Sequence, residues 1–226
     1  ILRKIKTEAE KTNSKTIVFF TEPHASEYFA NKQDFKFSPP PRICSWREKF
    51  ELLRDFGIDF AFFLKFNNSL QTMTPEKFIS DILDNVGLCS FTVGDDFRFG
   101  VNREGDFELL QLWGNQNDIY VSNTDTLKIN NERVSSTRIR QALLDSNFSL
   151  ANKLLGRPYT FTGKVVHGQQ LGRTIDVPTA NIWMPSQKLP ISGVYAVECL
   201  LENKFLKGIA NMGIRPTIGG KKPILE

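Results

Sequence analysis

Three apolar runs, TIVFF from Thr16, FAFFLKF from Phe60 and LCSFTV from Leu88, are separated by two stretches of helical spacing, and this alternation constrains the fold more than any other feature of the chain. Strands that are each followed by a helix run parallel, because the crossover returns the chain to the same edge of the sheet. The first helical stretch opens at Ser45-Trp46-Arg47-Glu48 with the spacing of a capping box, turns Phe50, Leu53 and Phe56 to one face, and stops at Gly57. The second opens at Thr74-Pro75 and closes near Gly87, with Phe78, Ile79, Ile82 and Leu83 inward. Ahead of the first strand, Ile1, Leu2, Ile5 and Ala9 share one helical face. The expectation is a doubly wound α/β domain with a parallel sheet, its ligand site in the loops beyond the carboxyl ends of the strands. FAFFLKF is expected to be a buried strand.

The texture changes later in the chain. A helical pattern runs from Ser136 through Leu144, a second from Ser149 to Leu155, and Gly156-Arg157-Pro158 ends it. Beyond that point come the short runs TFTGKVV, TANIWM, VYAVECLL and FLKGIANM, separated by glycine and proline turns. A domain boundary is therefore expected at Gly156, with domains of 1–156 and 157–226, the second a small antiparallel β-barrel.

Composition excludes several classes. No run approaches the roughly 18 apolar residues that a membrane-spanning helix requires, and the charged start ILRKIKTEAEK is unlike a signal peptide, so a cytoplasmic protein without a membrane partner is expected. The three cysteines, Cys44, Cys89 and Cys199, are odd in number and scattered, which fits reduced thiols rather than a disulfide framework or a zinc site. A net charge of +4, spread along the chain, does not point to nucleic acid but is compatible with a phosphate-bearing ligand. Nothing in the sequence fixes an oligomeric state.

Three segments end strands or open a helix and so converge on the ligand face of a parallel sheet: TEPHASEYF, VGDDFRFG and VSSTRIR. In the last, Ser135, Ser136 and Thr137 offer hydroxyls and unpaired N–H groups at a helix start, and Arg138 and Arg140 supply charge for a polyphosphate such as that of ATP. A serine-capped helix with two solvated arginines fits the same residues. Asp96, with Asp95 and Arg98, lies in a turn after a strand, where a carboxylate can accept hydrogen bonds from a ring imide, or can simply form the turn. Pro23 and His24 follow the first strand directly. In the second domain, Gly163, Gly168 and Gly172 space out a loop that could approach phosphate closely, ahead of Pro178-Thr179-Ala180-Asn181. Thr179 and Asn181 alternate on one strand face, so their oxygens can point together at a magnesium ion and the phosphates it carries, or can satisfy the backbone of a glycine-rich hairpin.

Taken in order, these motifs resemble the prokaryotic bifunctional riboflavin kinase/FAD synthetase family. The resemblance rests on EPH at Glu22–His24, RICSWREK from Arg42, VGDDFRFG from Val93, VSSTRIR from Val134, then LLGRPY, GKVVHGQQLGRT, PTAN, GVYAV and GIANMGIRPTIGG, and it covers essentially the whole chain. It implies that the first domain transfers the adenylyl group of ATP to FMN, giving FAD and pyrophosphate, and that the second phosphorylates riboflavin with ATP, both with Mg2+. By the resemblance, Ser135, Ser136, Thr137 and Arg138 hold ATP in the adenylyltransferase, with Arg138 catalytic; Pro23, His24 and Asp96 lie on the flavin side. In the kinase Gly163, Gly168 and Gly172 line the phosphate loop, Thr179 and Asn181 bind metal and phosphate, and Glu226 is the catalytic base.

Two departures qualify this. Thr21 and Ala25 stand where the family has phenylalanine and proline, and the strand and His-x-Gly-His helix start with which the family opens are not in this sequence, whose two histidines are His24 and His167. A fragment lacking both ends of a two-activity parent is therefore expected. The rival readings are a non-catalytic flavin or nucleotide binder, a single-function nucleotidyltransferase and, last, a nucleic-acid-binding module.

Overall fold

The structure, a computed structural model, describes residues 1–32, 38–167, 179–183, 190–217 and 220–226. The chain forms two compact units, one of Ile1–Pro39 with Phe50–Arg133, the other of Pro40–Lys49 with Val134–Glu226.

The first unit begins with helix α1 (Leu2–Thr12), strand β1 (Ile17–Glu22) and the short helix α2 (Ala25–Ala30). Helix α3 (Trp46–Asp55) leads to β2 (Phe60–Lys65), which pairs parallel with β1 from Ile17↔Phe60 to Glu22↔Lys65. Asp59 pins the head of this pair, accepting the Thr16 N–H at 2.9 Å, the Thr16 hydroxyl at 2.7 Å and Lys15 Nζ at 3.0 Å. Those donors, the Thr16 N–H foremost, hold its carboxyl far below the usual range. Then come α4 (Asn68–Gln71) and α5 (Pro75–Phe78), the latter capped by Thr74 and continued by a widened π turn over Ile79–Leu83. Strand β3 (Ser90–Gly94), helix α6 (Phe107–Gln116) and strand β4 (Tyr120–Thr124) form the second parallel pair, registered from Ser90↔Tyr120 to Gly94↔Thr124. A hairpin of β5 (Lys128–Ile129) and β6 (Glu132–Arg133) closes the unit, its turn made by Asn130 and Asn131 at φ 56° and 61°, backbone that asparagine tolerates better than most residues.

The core of this unit joins Ile79, Leu83, Val93, Phe99, Leu110, Trp113 and Val121, with the Trp113 indole donating to Asp84 at 2.8 Å. Leu110 is wholly buried. Leu110→Ala is expected to cost about 3 kcal/mol, the lost transfer energy plus a cavity, read as a lower urea midpoint at unchanged slope.

Two expectations are corrected here. FAFFLKF is a strand but not a buried one, since Phe60, Phe62 and Phe63 are 57%, 44% and 40% exposed. A parallel strand is fully covered only where helices lie on both faces, and the rings of Phe62 and Phe63 instead lean on their β1 partners, Phe19 at 5.3 Å and Phe20 at 4.1 Å. Among the described residues the parallel strands also form two separate pairs rather than one continuous sheet.

In the second unit α7 (Ser136–Leu144) buries Ile139, Ala142 and Leu143, and α8 (Phe148–Leu155) buries Ala151 and Leu154 and ends at Gly156, whose φ of 70° suits a residue without Cβ. Arg140 Nε donates to the Pro41 carbonyl at 2.7 Å, which ties the segment before α3 to α7. Strands β7 (Val165–Val166), β8 (Asn181–Ile182), β9 (Gly193–Leu201), β10 (Lys204–Thr217) and β11 (Gly220–Leu225) make one antiparallel sheet in the order β7-β8-β11-β10-β9. Tyr195 of β9 stacks edge-on against Phe148 at 5.2 Å and donates its hydroxyl proton to the Ser192 carbonyl at 2.6 Å. Where a closed barrel is expected, the described strands form an open sheet, because no pairing among them joins β7 to β9. Among the described residues no helix is long and apolar enough to cross a membrane. Cys44, Cys89 and Cys199 are free thiols.

Candidate active site

In the first unit His24 is the N-cap of α2. Its Nδ1 accepts the Ser26 N–H at 3.3 Å, and Glu27 accepts the His24 N–H at 3.1 Å. Pro23 precedes His24 through a cis peptide bond. Asp96 stands in the turn after β3, where its carboxylate meets Arg133 at 2.9 Å, and the same guanidinium reaches Asp95 at 2.9 Å. Thr126 donates to Asp95 as well, and these donors, that hydroxyl first, hold the Asp95 carboxyl below its usual range. Arg98 turns away to Asp106 at 3.0 Å, the carboxylate that caps α6 through the Leu109 N–H. Arg133 was not among the residues that sequence reasoning singles out. Its signal was the Asn130-Asn131 turn, which marks a hairpin and so fixes where the side chain at its end emerges.

In the second unit Ser135 caps α7, its Oγ accepting the Arg138 N–H at 3.2 Å, while Ile139 N–H bonds the Ser135 carbonyl at 3.0 Å. Among the described residues the N–H groups of Ser136 and Thr137 have no partner within the helix, as the first turn of any helix dictates. A helix start with two open N–H donors and an arginine in its first turn is electrostatically suited to an anion. Arg140 is different: burial lowers its pKa, and its Nε is committed to Pro41.

The remaining candidates gather on β8. Gly163 approaches it so closely that a Cβ there would lie 2.4 Å from Ile182 Cγ2 and 2.7 Å from the Trp183 carbonyl. Trp183 N–H then bonds the Lys164 carbonyl at 2.9 Å, and β7 pairs with β8 as Val165↔Ile182 and Val166↔Asn181. On the other side of β8, Leu225 pairs with Ile182. One step further along that antiparallel register Glu226 falls beside Asn181, and its backbone is fixed by a reciprocal pair of bonds with Asn211 at 2.8 and 3.1 Å. Thr179 lies two residues before Asn181 and is exposed. Gly168 and Gly172 lie outside the described residues.

The fold is shared with known proteins. A solved structure described as a macrolide-efflux protein from Streptococcus pneumoniae superposes with a TM-score of 0.80 at 28% identity, covering 99% of this chain and 72% of that one. Residues 1–138 match the family model for FAD synthetase, and residues 155–226 match the model for riboflavin kinase. The bifunctional riboflavin kinase/FMN adenylyltransferase of Escherichia coli (strain K12) is 42% identical over 228 residues, covering 100% of this chain and 71% of that protein. This chain belongs to the bifunctional riboflavin kinase/FMN adenylyltransferase family. Members from Haemophilus influenzae and Pseudomonas fluorescens are 37% and 35% identical, over 100% and 97% of this chain and 72% and 69% of their own. The two family models divide the candidates cleanly. Pro23, His24, Asp96, Ser135, Ser136, Thr137 and Arg138 fall in the FAD synthetase match, whereas Gly163, Thr179, Asn181 and Glu226 fall in the riboflavin kinase match.

Proposed function

We propose that this chain carries the machinery for two consecutive steps of flavin cofactor synthesis: phosphorylation of riboflavin to FMN by ATP, and adenylylation of FMN to FAD. The observation that carries this reading is the tandem of family matches, FAD synthetase over 1–138 and riboflavin kinase over 155–226. The division at Gly156 then separates the two chemistries. The adenylyltransferase is a mixed α/β domain with parallel strand pairs, and the kinase an antiparallel β domain.

In adenylyl transfer a phosphate oxygen of FMN attacks the α-phosphorus of ATP, the bond to the bridging oxygen breaks, and pyrophosphate leaves. The nucleophile is already an anion, so the residues chiefly align reactants and neutralise charge. The open N–H groups of Ser136 and Thr137 and the guanidinium of Arg138 suit that task, while Pro23, His24 and Asp96 attend the flavin. In the kinase, Glu226 accepts the proton of the riboflavin hydroxyl as it attacks the γ-phosphorus, the bond to the β,γ-bridging oxygen breaks, and ADP leaves. Thr179 and Asn181 offer hydroxyl and amide oxygens, a hard donor set that suits Mg2+ carried by ATP, and among the described residues no cluster of His, Cys, Asp and Glu competes for a metal. When bound there, Mg2+ offsets charge on the transferring phosphoryl group. The protein works in the cytoplasm, without nucleic-acid or membrane partners.

The test is product analysis by chromatography after incubating the intact protein with riboflavin, ATP and Mg2+. FMN followed by FAD supports the reading, and the absence of both products leaves a binding protein instead. A more local result is expected from Gly163→Ala. Its Cβ would meet the Trp183 carbonyl, which cannot swing aside as a side chain can. Riboflavin phosphorylation is expected to fall about tenfold by misalignment of β7 on β8, with FMN adenylylation unchanged in the same preparation.

A further inference from the structure

Glu48 belongs to neither set of candidate residues. It lies in the FAD synthetase match, in the first turn of α3, and is only 8% exposed. Each of its carboxylate oxygens accepts one backbone N–H: Oε2 takes that of Ser45 at 2.6 Å, closing the capping box, and Oε1 takes that of Thr162 at 2.6 Å. Thr162 lies in the riboflavin kinase match, directly before Gly163. All of these residues are in one compact unit. The surroundings are poorly hydrated. Burial pushes the Tyr159 phenol far up and the Cys44 thiol up, the negative charge of Glu48 adding to both. Among the described residues the buried Tyr159 hydroxyl has no hydrogen-bond partner. A carboxylate in such a place is held by its few donors and in turn fixes them.

The chain beyond Thr162 leads straight to the kinase candidates. Gly163 sits against Ile182 and Trp183, the Lys164 carbonyl accepts the Trp183 N–H at 2.9 Å, and Val166 pairs with Asn181. We infer that Glu48 is a positioning residue for riboflavin phosphorylation: its Oε1 anchors the residue from which the glycine loop departs, and thereby the register of β7 on the strand that carries Asn181. This rests on the reading of Gly163, Thr179 and Asn181 as the kinase phosphate site. A residue of the adenylyltransferase sequence thus serves the other reaction.

Glu48→Gln tests this in the intact protein, because the amide keeps the shape but has one acceptor oxygen where two donors face it. The kinase KM for ATP is expected to rise about tenfold with kcat little changed, and FMN adenylylation to stay at its starting rate. Ser45→Ala, which removes the reciprocal hydroxyl cap and leaves the Thr162 bond, is expected to leave the kinase KM unchanged. An unchanged KM in Glu48→Gln, or a parallel loss of both activities, overturns the inference. Thr179→Ala run alongside separates the two ideas: normal phosphorylation there defeats the phosphate-site reading itself, while loss there with a silent Glu48→Gln defeats only the role of Glu48. Hydrogen exchange on the unaltered protein is a check that needs no variant, since the Thr162 amide is expected to exchange slowly, and rapid exchange there also overturns the inference.

Discussion

On the role proposed for Arg138, Arg138→Ala in the intact protein is expected to lower kcat/KM for FMN adenylylation by about 10²–10³-fold while riboflavin phosphorylation stays within about twofold of the original. Ser135 caps α7 by accepting the Arg138 N–H, which leaves the amides of Ser136 and Thr137 open and sets Arg138 in the same first turn. Backbone amides and the helix dipole supply about half a unit charge, too little for a triphosphate whose bond is breaking, so the full charge of the guanidinium is the larger part. Arg138→Lys is expected to recover only part of the rate, because an ammonium lacks the planar fork that engages two oxygens at once. Initial rates of both reactions, measured with labelled ATP on one preparation, decide the matter. Equal loss of the two activities would sink the assignment of Arg138 to adenylyl transfer.

The second large effect is expected at Thr179. On the proposed metal and phosphate role of its hydroxyl, Thr179→Ala should reduce riboflavin phosphorylation by about 10²-fold and leave adenylylation of supplied FMN untouched. Thr179→Ser keeps the hydroxyl and should restore most of the rate. If alanine and serine behave alike, the hydroxyl is not what matters at this position. Because Thr179 is exposed and precedes β8, folding is expected to be undisturbed, and a thermal melt unchanged from the original protein checks this.

Much of this was legible from residue order. The capping box at Ser45 and Glu48, the Thr74-Pro75 helix start and the αL glycine at Gly156 are local devices whose chemistry is complete within four or five residues, so periodicity and turn residues suffice to find them. The burial of FAFFLKF was not legible, because an apolar run reports what a strand could bury and not what lies against it. The role of Ser135 was half legible: the sequence marks a helix start, but only the 3.2 Å bond to the Arg138 N–H shows that its oxygen serves the helix. The distant contacts of Arg133 and Glu48 were not legible. Their partners lie 38 and 114 positions away in the chain, and a single sequence carries no trace of such pairings. Asn181 and Glu226 are likewise brought side by side only by the strand register around Ile182.

The interleaving of the two compact units bears on how such a protein can be divided. Residues 40–49 belong with the segment that starts at Val134, although the chain on either side of them belongs to the other unit. The backbone therefore passes from one unit to the other after Pro39, after Lys49 and after Arg133. No single scission, at Gly156 or anywhere else, can part the two units from each other with both whole. A protease that nicks the chain once leaves at least one unit divided between the two fragments, and a gene split at one point does the same.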